Sequence, residues 1–345
     1  MKLSMAALGL GIAAWTAAAP AHGGGTCGFT AQGSTWLLAG DCVTTSTISI
    51  PDGYTLDGNG FLITARDPAD GTFVGPVVRN AGPRASVKNL RLSAENLRPA
   101  CHVGADRLRG ILLDGASGSV SDVVISGVNQ GRSGCQEGQG IEVRNTARGA
   151  PTRVTVERNR IHGYQKTGIL AHGNVDVHVV RNEVSGGGPV GHIARNGIQI
   201  GFGATGRVTD NAVSGNAYTG WDYVGSGILV VGGAWYGAPL SVGVDIKHNV
   251  LRGNDVGVML SQFGADGAGP GSATRAQVVN NDIHHDAVTN GVVYQAGISG
   301  GGNGDLIVAN RVSGAGYDPH TLPGATFEVD ASEPYAWRAK VHANR

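Results

Sequence analysis

Apolar side chains recur along this chain in one short phrase, Gly-Ile-x-Ile, that returns about every 29 residues. It reads Gly110-Ile111-Leu112-Leu113, Gly140-Ile141-Glu142-Val143, Gly168-Ile169-Leu170-Ala171, Gly197-Ile198-Gln199-Ile200, Gly227-Ile228-Leu229-Val230 and Gly257-Val258-Met259-Leu260. The intervals are 30, 28, 29, 30 and 30, and a less regular copy follows at Gly291-Val292-Val293-Tyr294. A fixed period of this length means one supersecondary unit stacked on itself. Within the phrase apolar and polar positions alternate, which predicts a short half-buried strand. No stretch between copies has helical spacing. The pattern therefore predicts an all-β solenoid whose equivalent strands stack at ~4.8 Å.

A second phrase lies between the copies: an apolar residue, two variable ones, Asn, one variable residue and another apolar one. Its Asn falls at 159, 182, 211, 249, 281 and 310. Asn tolerates left-handed backbone and bonds to a copy of itself above and below, so such a column reads as a stacking device. These asparagines are taken as structural. Each turn then holds at least two short strands separated by Gly-rich corners. Thr44–Ile50, Gly53–Leu62 and Val87–Leu92 read as earlier turns that have lost the spacing. Residues 22–64 are expected to include an N-terminal cap over the open strand edges, and residues 317–345, which lack the repeat, a tail at the other end.

Composition narrows the class. Lys2, the apolar run Met5–Ala19 and Ala19-Pro20-Ala21 fit a secretory signal, so residues 1–21 are expected to be removed and the rest to be secreted and extracellular. That run is short for a membrane span and nothing similar follows. The formal net charge is zero, which gives no electrostatic support to a nucleic-acid partner. Four cysteines in a secreted chain predict two disulfides. Cys101 and Cys135 fall in the same corner of consecutive turns, and stacked strands bring Cα atoms within disulfide range. Cys101–Cys135 with Cys27–Cys42 is the favoured pairing of the three. A stack whose core is internal is expected to be a monomer.

The unit resembles the right-handed parallel β-helix repeat of the pectate-lyase-like superfamily over roughly residues 44–316. The segments Asn129–Asn145, Tyr164–Gly168 and Asn196–Gln199 look most like uncharacterised secreted bacterial members. The resemblance implies the fold and an extracellular polysaccharide as partner. It carries over no established catalytic residue. The residues identify no cofactor; only the resemblance leaves Ca2+ open.

Candidate chemistry follows from the columns that stacking builds. If the residue after each Gly points inward, the second and fourth after it point outward. Asp114, Arg144 and His172 then stack on one another, Glu142 and Gln199 lie beside them, and Lys166 neighbours Arg195. These polar residues gather in the turns starting at 110, 140, 168 and 197, and are expected to form one solvent-facing cluster. Long corners next to them carry Trp221, Asp222 and Tyr223, candidates for substrate binding together with Gln199 and Asp114. A surface ladder of alternating charge is the bland alternative.

Three chemistries fit such a set. Elimination of a uronate needs a cation to neutralise the carboxylate and a base for the C5 proton. Arg144, Arg195 or Lys166 would neutralise, and His172, or Lys166 made less basic by Arg195, would be the base. Hydrolysis would use Asp114 and Glu142, set ~8 Å apart within the inverting range. Epimerisation finds an echo in Tyr317-Asp318-Pro319-His320, read as a chance match. A G-x-G-x-x-G at Gly201–Gly206 leads into a strand rather than a helix and so fails as a dinucleotide site. His284-His285-Asp286 lacks a third metal ligand at any recognisable spacing, and no Ser-His-Asp arrangement is readable. The favoured reading is a lyase cleaving an acidic polysaccharide. A glycoside hydrolase, an epimerase and a non-catalytic carbohydrate-binding or envelope protein are the alternatives.

Overall fold

The computed structural model describes residues 27–94, 96–147 and 149–345; the segment expected to be a secretory signal, residues 1–21, lies outside them. Among the described residues the chain winds through three sheets in turn. The front sheet has ten strands, from Ile48–Ile50 to Thr326–Asp330, and contains the Gly-Ile phrases. The side sheet has twelve, from Phe29–Gln32 to Lys340–His342, and the back sheet ten, from Cys42–Thr44 to Arg311–Ser313. One full turn is seen in Gln139–Asn145, Thr152–Glu157 and Arg160–His162, after which Thr167–Gly173 re-enters the front sheet. Neighbouring strands pair in parallel, as in Ile111 with Ile141 and Ile141 with Ile169. The expected parallel β-solenoid is what forms, with no α-helix among the described residues and only two short 3-10 turns, Gly104–Asp106 and Ala234–Tyr236. Among the described residues no helix is long and apolar enough to cross a membrane.

The glycine of the phrase is a packing requirement. It does not sit in the left-handed region. A Cβ on Gly140 would lie 2.6 Å from Ile161 Cγ2 and 2.6 Å from the Gly168 carbonyl oxygen; on Gly197 it would lie 2.2 Å from Val213 Cγ1. Front and back sheets thus close on each other through a seam with no room for a methyl group. Register corrects the last copy. Val258 pairs with Ile298, so the seventh phrase is Gly297-Ile298, not Gly291-Val292. Asn290 is bonded to the Tyr218 carbonyl and to Asp255, which holds residues 290–293 in the corner before the chain reaches the front sheet.

The asparagine column is continuous. Asn159 Nδ2 donates to Asn182 Oδ1 at 2.9 Å, and the relay passes through Asn211, Asn249, Asn281 and Asn310 to Asn344. The left-handed residue is not the asparagine, however, but the one before it: Arg158, Arg181, Asp210, His248, Asn280 and Ala309 all have φ between 53° and 58°. That kink turns the next side chain inward to lie along the stack. Asn344 shows that the unrepeated tail continues the pattern, and Thr326–Asp330 and Lys340–His342 add last rungs to the front and side sheets. At the other end Phe29–Gln32 folds back on Thr35–Leu38 as an antiparallel hairpin. Both expected disulfides form, Cys27–Cys42 and Cys101–Cys135, with Cα atoms 5.0 and 4.9 Å apart.

Candidate functional site

Alternation does put Glu142, Arg144, His172 and Gln199 on the outer side of the front sheet, but it does not leave them all in solvent. Glu142 is only 2% exposed. Its Oε2 accepts from Arg109 Nε on the preceding turn, and its Oε1 lies 3.1 Å from His172 Nε2 and 3.4 Å from an Arg144 nitrogen. Arg144 donates in turn to Asp114 at 2.7 Å. Burial alone would raise the Glu142 carboxyl, yet the His172 bond and the Arg109 charge hold it down at about 2. The expected solvent-facing cluster is therefore corrected: its carboxylate core is a buried, charge-matched knot.

What buries it is the corner at residues 96–108. Arg109 also donates to the carbonyls of Gly104, Ala105 and Arg107 and so draws that corner over the sheet. Cys101–Cys135 ties the corner down, and buried Glu137 accepts from the backbone N–H groups of His102 and Leu108. Sequence reasoning missed Arg109 because the alternation rule names a side of a sheet, not what folds across it. Asp114 and Glu142 both bind arginine, which removes the pair of free carboxylates that hydrolysis needs.

Lys166 and Arg195 stand apart from this knot, on consecutive turns where the corners from the back sheet enter the front sheet. Lys166 Nζ donates to the Ala194 carbonyl at 2.7 Å. Arg195 donates to the carbonyls of Gln165 and Gly186. Among the described residues neither forms a salt bridge. Burial depresses Lys166 to about 8. The depression was expected, but from repulsion by Arg195; its cause is desolvation. His192 is also pushed down, first by burial and then by Arg195 and Arg132. Among the described residues the basic groups of this corner, Lys166, His192 and Arg195, thus form no ion pair with a carboxylate.

Gln199 bonds to Asn196 of its own strand and remains partly exposed. Trp221 and Tyr223 are 83% and 66% exposed, while Asp222 accepts from the Tyr218 hydroxyl. Their loop is anchored from below by Asp255, a fully buried carboxylate that accepts from the N–H groups of Tyr218 and Gly225 and from Asn290. Burial lifts Asp255 to about 6 despite those bonds. Trp235 and Tyr236 project from the opposite edge of the front sheet, where the Tyr236 hydroxyl meets Ser261 at 2.6 Å. The front face is thus flanked by exposed aromatic rings on both edges.

The remaining motifs resolve simply. Gly201–Gly206 enters the strand Thr205–Thr209, so no helix end is available to a dinucleotide. Tyr317 is buried with its hydroxyl on the Asn254 carbonyl, and Asp318 pairs with His320. Among the described residues no three His, Cys, Asp or Glu side chains are grouped to hold a metal, and the front carboxylates are taken by arginine, so the face does not fit Ca2+.

A family model described as "Right handed beta helix region" matches residues 109–312, more than half of the chain. No curated protein matches in sequence. Among solved structures, the Dettilon tailspike protein (gp208) is similar at 17% identity and a TM-score of 0.43, covering 90% of this chain and 61% of its own, so the chain spans under two thirds of that protein. A DFA-IIIase mutant from Arthrobacter chlorophenolicus A6, solved with DFA-III, is similar at 13% identity and 0.44, covering 80% and 73%. The A-module of the Azotobacter vinelandii mannuronan C-5 epimerase AlgE6 is similar at 13% and 0.40, covering 88% of each chain.

Proposed function

The chain belongs to the right-handed β-helix family, and from that premise we propose that it is secreted and acts on an acidic extracellular polysaccharide by β-elimination. The observation that carries the reading is the pair Lys166 and Arg195: two cations on successive turns, part-buried, bonded to backbone carbonyls and lacking any carboxylate partner among the described residues. A buried cation without a counter-charge is costly, and an anionic ligand relieves that cost. A uronate carboxylate seated on Arg195 loses its charge, which acidifies the neighbouring C5–H. Lys166, near neutrality at about 8, takes that proton. The C5–H and C4–O bonds break, the C4–C5 double bond forms, and the departing oxygen is protonated by the Lys166 ammonium. The exposed rings of Trp221 and Tyr223 offer stacking surface to the sugars that flank the reacting one. Two disulfides suit an oxidising compartment.

Hydrolysis is the weaker alternative. A general acid must hold a proton near neutral pH, and Glu142 at about 2 does not. The test is a panel of uronic-acid and neutral polysaccharides, read by ultraviolet absorbance of unsaturated sugar ends and by affinity electrophoresis. Unsaturated products from an acidic chain, lost in Lys166→Ala, support elimination. Retardation without product supports the non-catalytic binder, and retention of neither overturns the reading.

A further inference from the structure

Sequence spacing hides one arrangement that the stack assembles. Ser313 ends the strand Arg311–Ser313, the last of the back sheet, and pairs in register with His284 on the rung before. Ser313 Oγ lies 2.9 Å from His284 Nδ1, and His284 Nε2 lies 2.7 Å from Asp286 Oδ1. We infer that Ser313, His284 and Asp286 form a second active site that hydrolyses short-chain O-acyl esters, with Ser313 as nucleophile, His284 as base and Asp286 as the group that orients the imidazole.

The arrangement meets the geometric test for an activated hydroxyl: nucleophile to base and base to orienting group are both within hydrogen-bond reach. It is not a by-product of stacking. The same column holds His162 between Ser126 and Ser185, yet among the described residues His162 bonds to neither serine and to no carboxylate. At His284 the side chain turns to take both partners. The other charged groups nearby are committed elsewhere: Arg252, one rung below, is bonded to Asp282, and His285 turns inward against Tyr317. The N–H groups of Gly314 and Ala315, directly after the serine, donate to no acceptor among the described residues, and Gly314 turns the chain there with φ of 95°. Such free donors beside a nucleophile are what a developing oxyanion requires. Asp286 is fully open to solvent and His284 about one third exposed, so the site is shallow. It suits a small acyl group, of acetyl size, carried on a large alcohol.

In the reaction Ser313 Oγ bonds to the ester carbonyl carbon and its proton passes to His284 Nδ1. The acyl–oxygen bond to the alcohol breaks and the departing oxygen takes that proton. Water then attacks the acyl-serine, gives a proton to His284, and releases the acid as Ser313 recovers it. The overall change is ester plus water to acid plus alcohol. The proposal is independent of the elimination reading, since it uses a different sheet.

The experiment is labelling of the full chain with a fluorophosphonate, with the adduct located by peptide mass spectrometry, beside p-nitrophenyl acetate hydrolysis by wild type, Ser313→Ala, His284→Gln and Asp286→Asn. The expected result is an adduct on Ser313 that His284→Gln prevents, and hydrolysis slowed ~100-fold or more in Ser313→Ala and His284→Gln, with a smaller loss in Asp286→Asn. No adduct at Ser313, or equal hydrolysis by wild type and Ser313→Ala, overturns it. If Ser313→Ala does not fold, the site of the wild-type adduct decides alone.

Discussion

Arg109 and Glu142 are joined across one rung of the front sheet, each 2% exposed, and the same guanidinium holds the carbonyls of the corner that covers them. This ion pair joins the corner at 96–108 to the stack. Removing one partner of a buried pair leaves an uncompensated charge, at a cost of roughly 3–5 kcal/mol. Glu142→Ala is expected to lower unfolding stability by about that amount in a urea titration. A loss under about 1 kcal/mol would mean that Arg109 finds other acceptors.

The same pair sets an acid limit. The folded carboxyl of Glu142 sits at about 2 against an ordinary 4.5. A depressed folded value contributes stability that is full above 4.5 and is lost as pH falls toward 2. The lowering corresponds to about 3 kcal/mol. Wild type should lose this increment between those pH values, and Glu142→Gln should show a flatter stability profile there. Equal slopes in the two proteins would refute the assignment.

The glycine seam predicts a sharp contrast between two small changes. Gly197→Ala places a methyl group 2.2 Å from Val213 Cγ1 and 2.6 Å from the Gly227 carbonyl oxygen. Overpacking of this kind costs roughly 1–3 kcal/mol or more. Gly271→Ala meets nothing within 4 Å and should be nearly neutral. Thermal melts of both variants test this, and similar melting temperatures would show that the seam can open.

The seam also explains how much of the molecule was legible. The Gly-Ile period and the asparagine column could be read because each is repeated by the same local contact on every rung. The pairing of Cys101 with Cys135 was readable because consecutive corners stack. Burial of Glu142 was not, since it depends on a non-repeating corner folding across the sheet. Gly291 misled because a lengthened corner shifts the point at which the chain re-enters the front sheet. Ser313 and His284 stayed hidden because their contact follows from rung pairing, which has no fixed spacing once corner lengths vary.

Asn211 sits mid-ladder, bonded to Asn182 and Asn249 and to the Val179 carbonyl. Asn211→Ala strands buried partners on both sides, each worth ~1–3 kcal/mol when unsatisfied. Asn344 bonds only downward within the ladder. Asn344→Ala should therefore cost clearly less in the same denaturation assay. Equal losses would argue that the ladder acts as one cooperative element rather than rung by rung.

Lys166 supplies the prediction that bears most directly on function. Burial holds its ammonium at about 8, so the neutral amine needed to abstract a proton grows in as pH rises through that value. Elimination should climb with pH and level off above about 8, provided no later step limits the rate. Lys166→Arg keeps the charge but cannot supply a neutral base, and should abolish turnover while leaving polysaccharide retardation largely intact. Lys166→Met should also abolish turnover, yet raise stability at neutral pH. The sign follows from the lowered folded value: below it the folded chain carries an unfavourable buried charge that the unfolded chain solvates, and this penalty fades as pH rises toward the ordinary 10.5. If Lys166→Met is inactive but no more stable than wild type, Lys166 is better solvated than its surroundings indicate, and the case for it as a base weakens. If Lys166→Met keeps full activity, the base lies elsewhere on the front face, and His172, held against Glu142 at 3.1 Å, becomes the residue to replace.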